Sequence, residues 1–149
     1  MSSPSRKPNP IPEGHHTVTP FLRVKDAAKL IEFLKPAFGA EVTFCMNGPG
    51  GTVMHAEVKI GDSMVMLGQA PPSDAGLQSM IHLYVPDTDA VYASALAAGA
   101  TSIREPADQF YGDRSAGVKD FCGNEWWMAT HIEDVSQEEM ERRMAAMAR

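Results

Sequence analysis

The chain carries one pattern twice. Leu22-x-Val24-x-Asp26 in the first copy answers Leu83-x-Val85-x-Asp87 in the second, and Gly39-Ala40 answers Gly99-Ala100. Between the two landmarks of each copy lies a helical run, and the spacing differs by one residue. Each copy then continues into strand-like runs joined by a glycine turn. A repeat of this length means two supersecondary units that share one core, and it limits the folds open to the chain.

The local signals give each unit the order β-α-β-β-β. The runs from Thr17 to Val24 and from Met80 to Val85 alternate at period two, as half-buried strands do. Leu22, Val24, Leu83 and Val85 share one side, and Phe21, Arg23, His82 and Tyr84 the other. Pro20 has no N–H for a ladder, so the first strand is expected at an edge or with a bulge there. Asp26 suits an N-cap, and Ala27, Leu30, Ile31, Leu34 and Phe38 form an apolar helix face. Pro36 is expected to kink or end that helix early, and Gly39 and Gly99 are natural C-terminal caps. Residues 40–47, 52–60 and 63–69 read as strands, as do 101–104, 113–120 and 124–131. Ser136 and Glu139 make a capping box for a last amphipathic helix over 133–149, striped by Met140, Met144 and Met147. That stripe needs burial, on the parent sheet or on a second copy, and a homodimer is the favoured reading.

Composition excludes several classes. At 149 residues and 44% hydrophobic, the chain fits one globular domain with a real core. A net charge of −6 without a basic patch argues against nucleic acid. No apolar run approaches the roughly 18 residues that span a membrane. Residues 1–14 are Ser/Pro-rich without the apolar centre of a secretory signal, and read as a flexible tail. Cys45 and Cys122 form no CxxC. They read as small core hydrophobes in a reduced, cytoplasmic setting. Gly-x-Gly-x-x-Gly, P-loop and Gly-x-Ser-x-Gly patterns are all missing, so no nucleotide cofactor or serine nucleophile is expected.

The runs HHTVTPFLRV, AFGAE, HAEVKIGDSMVML, HLYVPDTDAVYASALAAGA and QFYGDRSAGVKDFCGNEW, in this order, resemble the vicinal oxygen chelate superfamily. The resemblance covers residues 15–132 and looks closest to the PhnB-like glyoxalase/bleomycin-resistance branch. It implies an α+β fold in which two paired modules, about 15–70 and 79–132, form a curled eight-stranded sheet around a cavity, with helices outside. Metal enzymes of the superfamily hold one divalent ion with four ligands, two from each module. Those positions fall here on Thr19, Met80, Trp127 and Val65 (or Met66), none of which replaces His or Glu around a hard or borderline ion. No metal is therefore expected at the usual site. A displaced triad of His55, Glu57 and His82 is the alternative.

The implied cavity is lined by Thr19, Phe21, His55, Glu57, Met80, His82, Tyr84, Tyr111, Arg114 and Trp127. Rings with a few polar anchors are what small-molecule pockets present, and aromatic faces favour flat or cationic ligands. Trp126 and Trp127 must point to opposite faces, and the family register puts Trp127 inside. The loop Gln109–Arg114 reads as the cavity's lip, with Tyr111 able to close over a ligand, or as a structural turn. The chain is expected to bind a small molecule without a cofactor. The alternative is a lyase, isomerase or dioxygenase acting on a small oxygenated compound, with His55 or His82 as base, Glu57 orienting it and Arg114 on an oxyanion. A third reading is association through the methionine-striped helix.

Overall fold

A computed structural model describes residues 7–148, so the first six residues of the expected tail lie outside the described residues. The first module runs β1 (Phe21–Val24), α1 (Ala27–Phe38), β2 (Glu41–Asn47), β3 (Val53–Ile60) and β4 (Ser63–Gln69). The second runs β5 (Met80–Tyr84), α2 (Thr88–Ala97), β6 (Thr101–Asp108), β7 (Asp113–Lys119) and β8 (Glu125–His131), and α3 (Gln137–Met147) follows. The eight strands hydrogen-bond as two four-stranded sheets, in the orders β1-β4-β3-β2 and β5-β8-β7-β6. The expected curled sheet is thus two open sheets. Each has one parallel pair, β1 with β4 and β5 with β8, and is otherwise antiparallel.

β1 begins after Pro20 and forms an edge, as a residue without an N–H requires. The Asp26 side chain accepts from the Lys29 N–H at 3.0 Å and starts α1. Pro36 does not end the helix, which continues to Phe38. Leu34 and Ala37 are buried in that last turn, and the Gly39 N–H, at φ 68°, donates to the Leu34 and Lys35 carbonyls. Burial and the left-handed cap hold the turn although Pro36 donates nothing. In α2 the Asp87 carboxylate accepts from the Ala90 N–H at 3.1 Å.

Strand alternation gives each sheet two unlike faces. Leu22, Val24, Ala56, Val58, Leu67, Trp126 and Met128 are buried beneath the helices. The opposite faces are open: Phe21 is 50%, Phe44 50%, Met80 65% and Tyr84 68% exposed. The modules meet where Phe38 of α1 lies 5.0 Å, centroid to centroid, from Trp126 of β8. Lys29 of α1 caps the ring of Phe121 at 4.4 Å. Cys122 is half-buried, but Cys45 is exposed on the edge strand β2 and is not a core residue. There its thiol lies 3.5 Å from the Asn47 carboxamide oxygen.

The turn before β8 depends on one carboxylate. Asp120 accepts from the Cys122 N–H at 2.8 Å, the Asn124 N–H at 3.1 Å and the Trp126 indole N–H at 2.8 Å. These bonds fix the turn. Asp120→Ala strands the buried indole N–H and frees the turn, and the expected cost is about 3 kcal/mol. Urea unfolding checks this, and a loss below about 1 kcal/mol contradicts it.

Candidate functional site

Three clusters occupy the open faces and the seam between the sheets. On the first sheet His55, paired with Gly68 of β4 and Met46 of β2, carries its ring between Phe21 at 5.8 Å and Phe44 at 6.0 Å. Its Nε2 lies 3.8 Å from Glu57 Oε1. His15, from the segment ahead of β1, brings a buried Nε2 to 3.3 Å from the same oxygen, without hydrogen-bond alignment. Two imidazoles thus flank one carboxylate. Sequence reasoning paired Glu57 with His55 but did not bring in His15, because no local pattern carries a segment before β1 onto β3.

The second sheet is the more preorganised. One register row crosses it: Arg104 pairs with Gly117, Gly117 with Trp127, and Trp127 with His82. Trp127 leans sideways over Gly117, where an added Cβ would stand 2.7 Å from the ring carbons, so glycine is required for the close approach. The Arg104 guanidinium lies over that ring, 4.9 Å from its centroid, and hydrogen-bonds the Ser115 hydroxyl. The Trp127 indole N–H donates to Glu125 at 2.9 Å. His82 packs beside Tyr84, with centroids 5.0 Å apart. Arg104, Ser115 and Gly117 were not predicted; strand alternation from Trp127 across the sheet would have found them.

Above this row a buried carboxylate, Asp113, joins two strands. It accepts from the Tyr84 hydroxyl at 2.9 Å and lies 2.8 Å from His131 Nδ1. His131 Nε2 reaches Asp134 at 2.7 Å. Asp113, by its hydrogen bond, raises the Tyr84 phenol above its ordinary range. Asp113 and then Asp134, as hydrogen-bond partners of the charged form, raise the His131 imidazole.

Arg114 points the other way from Asp113, toward α2. It donates to Asp89 at 2.7 Å and 2.9 Å and to Asp108 at 3.0 Å, so its charge is already matched. Tyr111 is half-buried, edge-on to Phe110 at 5.2 Å. The loop around it seats the C-terminal segment. Gly112, at φ 98°, accepts from the Ile132 and Glu133 N–H groups, and Arg143 donates to the Phe110 carbonyl at 3.1 Å. Ser136 caps α3 through the Glu139 N–H at 3.2 Å. Arg142 and then Arg143, as donors, hold the Glu139 carboxyl down at about 2. Among the described residues of α3 none is buried, and Met144 and Met147 are exposed.

Between the sheets lies a groove of about 880 Å³, lined among others by Thr19, Pro20, Val65, Ile81, His82 and Tyr84. Thr19 and Val65, at two of the superfamily's usual metal positions, line it, while Trp127 covers Gly117. A hydroxyl, an aliphatic chain and an indole do not fit a divalent ion there. His55 and Glu57 stand together, but His82 stays on the other sheet beside Tyr84. Among the described residues no three His, Cys, Asp or Glu side chains converge in a metal-holding arrangement.

Two β-α-β-β-β modules with helices on one side and open sheets on the other define an α+β fold. Solved structures share it. The TioX protein of Micromonospora sp. ML1 superposes with a TM-score of 0.64 at 21% identity, over 77% of this chain and 99% of that one. A glyoxalase/bleomycin resistance protein/dioxygenase family enzyme of Burkholderia phytofirmans PsJN gives 0.60 at 19% identity, over 77% and 96%. Residues 14–128 match the Glyoxalase/Bleomycin resistance protein/Dioxygenase superfamily, and the chain belongs to it. An uncharacterized protein of Mycobacterium bovis is 35% identical over 87% of this chain and 92% of its own length. One of Mycobacterium tuberculosis is 35% identical over 87% and 82%. No helix among the described residues is long and apolar enough to cross a membrane.

The His131 network has a pH signature. Because its folded pKa is raised, the charged imidazole contributes stability that is complete below about pH 6.5 and lost as pH rises through the folded value. The difference in thermal midpoint between the native protein and His131→Gln should be largest near pH 6 and shrink as the pH rises. A difference independent of pH contradicts the network.

Proposed function

We propose that this protein binds a small molecule on the open sheet faces and does so without a divalent metal. The observation that carries this reading is the row Arg104-Gly117-Trp127-His82. A glycine gives up its side chain so that an indole can lie flat in the open, beside a cation and a second aromatic pair. Ligand sites spend structure in this way, on fixed rings with a few polar anchors. Phe21, His55 and Glu57 offer a second set of the same kind on the first sheet, and Tyr84 and His82 line the groove between the sheets. Tyr111 borders the second sheet through its loop, while Arg114, matched by two carboxylates, supports the loop and β7.

The faces are too open to enclose a ligand in one chain. A second copy covers them in this reading, since Phe21, Phe44, Met80 and Tyr84 leave much apolar surface in water. The runs from HHTVTPFLRV to QFYGDRSAGVKDFCGNEW support a PhnB-like branch within the family, and two free thiols support a cytoplasmic setting. An enzymatic reading draws on one feature, the Glu57 carboxylate between His15 and His55, which can orient a base for proton abstraction.

Tryptophan emission tests the binding reading, because Trp126 is sealed in the core and Trp127 is not. Titration with flat aromatic ligands should quench the emission, and Trp127→Phe should remove most of that response. A ligand that quenches Trp127→Phe as strongly as the native protein contradicts the assignment. Sedimentation at micromolar concentration should show a dimer, and a monomer there overturns the proposed cover.

A further inference from the structure

The indole of Trp127 is the natural seat for a cationic ligand, but that seat is taken. The Arg104 guanidinium already lies 4.9 Å from the ring centroid. One of its five N–H donors is spent on the Ser115 hydroxyl. Among the described residues no carboxylate lies within ion-pair distance of it, whereas Arg23 pairs with Asp74, Arg114 with Asp89 and Asp108, and Arg143 with Glu133 and Glu139. Arg104 is therefore a guanidinium held flat by an indole, steadied by one hydroxyl, with its remaining donors open.

The register row supplies the rest of the recognition surface. Arg104, Trp127 and His82 lie in line across four strands, with Gly117 as the gap that lets the indole span β7. Tyr84 extends the aromatic surface beyond His82. Glu125, two residues before Trp127 on β8, accepts from the indole N–H at 2.9 Å and makes no ion pair with the guanidinium. A planar cation fork recognises two oxygens at once, and a carboxylate has that spacing.

We infer that the open face of the second sheet selects a small aromatic carboxylate, its anionic group held by Arg104 and its ring laid on His82 and Tyr84, beside the indole that Arg104 covers. The inference rests on the proposed binding role of that face and names the class of ligand. A cationic or neutral ring of the same shape meets the same aromatic surface but lacks the charge partner.

Three probes of one shape separate the class from the site: 2-naphthoate, 2-naphthamide and 2-naphthylmethylammonium, each titrated calorimetrically into the full-length protein. The carboxylate should bind at least tenfold more tightly than the amide, and the cation more weakly than both. Arg104→Met should abolish the preference, so that the variant binds carboxylate and amide alike, and a cooperative thermal unfolding transition shows that the variant is folded. Equal affinities for the three probes, or a carboxylate preference that survives Arg104→Met, overturn the inference alone. Binding of none of the three at millimolar concentration removes the binding role of the face and the inference with it.

Discussion

The two modules pack together through α1 and α2, and a buried indole lies at their seam. Trp126 leaves the second sheet on its helix side, meets Phe38 of the first module and is wholly shielded from water. Burying so large a ring stabilises the junction, but only if its N–H finds an acceptor. Asp120 provides it, and the same carboxylate gathers the backbone of the turn that launches β8. The direction of β8 is thereby set at its first residues, and with it the face that Trp127 must occupy.

From that constraint the open face follows by alternation. A residue next to a buried tryptophan in a strand points to the other side. Pairing of β8 with β7 and β5 then puts Gly117 and His82 on either side of Trp127, and β6 adds Arg104. None of these four owes its place to a loop, and sites on strands hold their geometry better than sites on loops. The superfamily's usual metal positions, by contrast, have lost every suitable donor at Thr19, Met80, Val65 and Trp127. Aromatic and charge recognition is the use we propose for the same cradle.

Much of the fold was legible in the repeat. The Leu-x-Val-x-Asp landmarks marked β1 and β5, the caps at Asp26 and Asp87, and the faces of Leu22 and Phe21. Pro36 misled because propensity alone does not weigh the burial of Leu34 and Ala37 or the cap at Gly39. Cys45 misled because hydrophobic type does not reveal that β2 is an edge strand exposed along its length. The eight strands were expected as one curled sheet, but hydrogen bonding divides them into two.

The faces of the candidate residues were legible in the strand alternation, but their groupings were not. Trp127, His82, Tyr84, His55 and Glu57 stand on the open faces, and His55 and Glu57 are neighbours. Arg114 was placed on the wrong side of β7 for a ligand, since Asp113 takes the open face and Arg114 turns to α2. Arg104, Gly117, Asp113 and His15 depend on cross-strand register and on the path of the chain before β1, which no local pattern carries. The most direct measurement is the indole N–H spectrum, because the protein has two tryptophans and their N–H groups sit in unlike places. An aromatic ligand should move the Trp127 resonance and leave that of Trp126 in place. A ligand that binds while the Trp127 resonance stays fixed contradicts the assignment of the site.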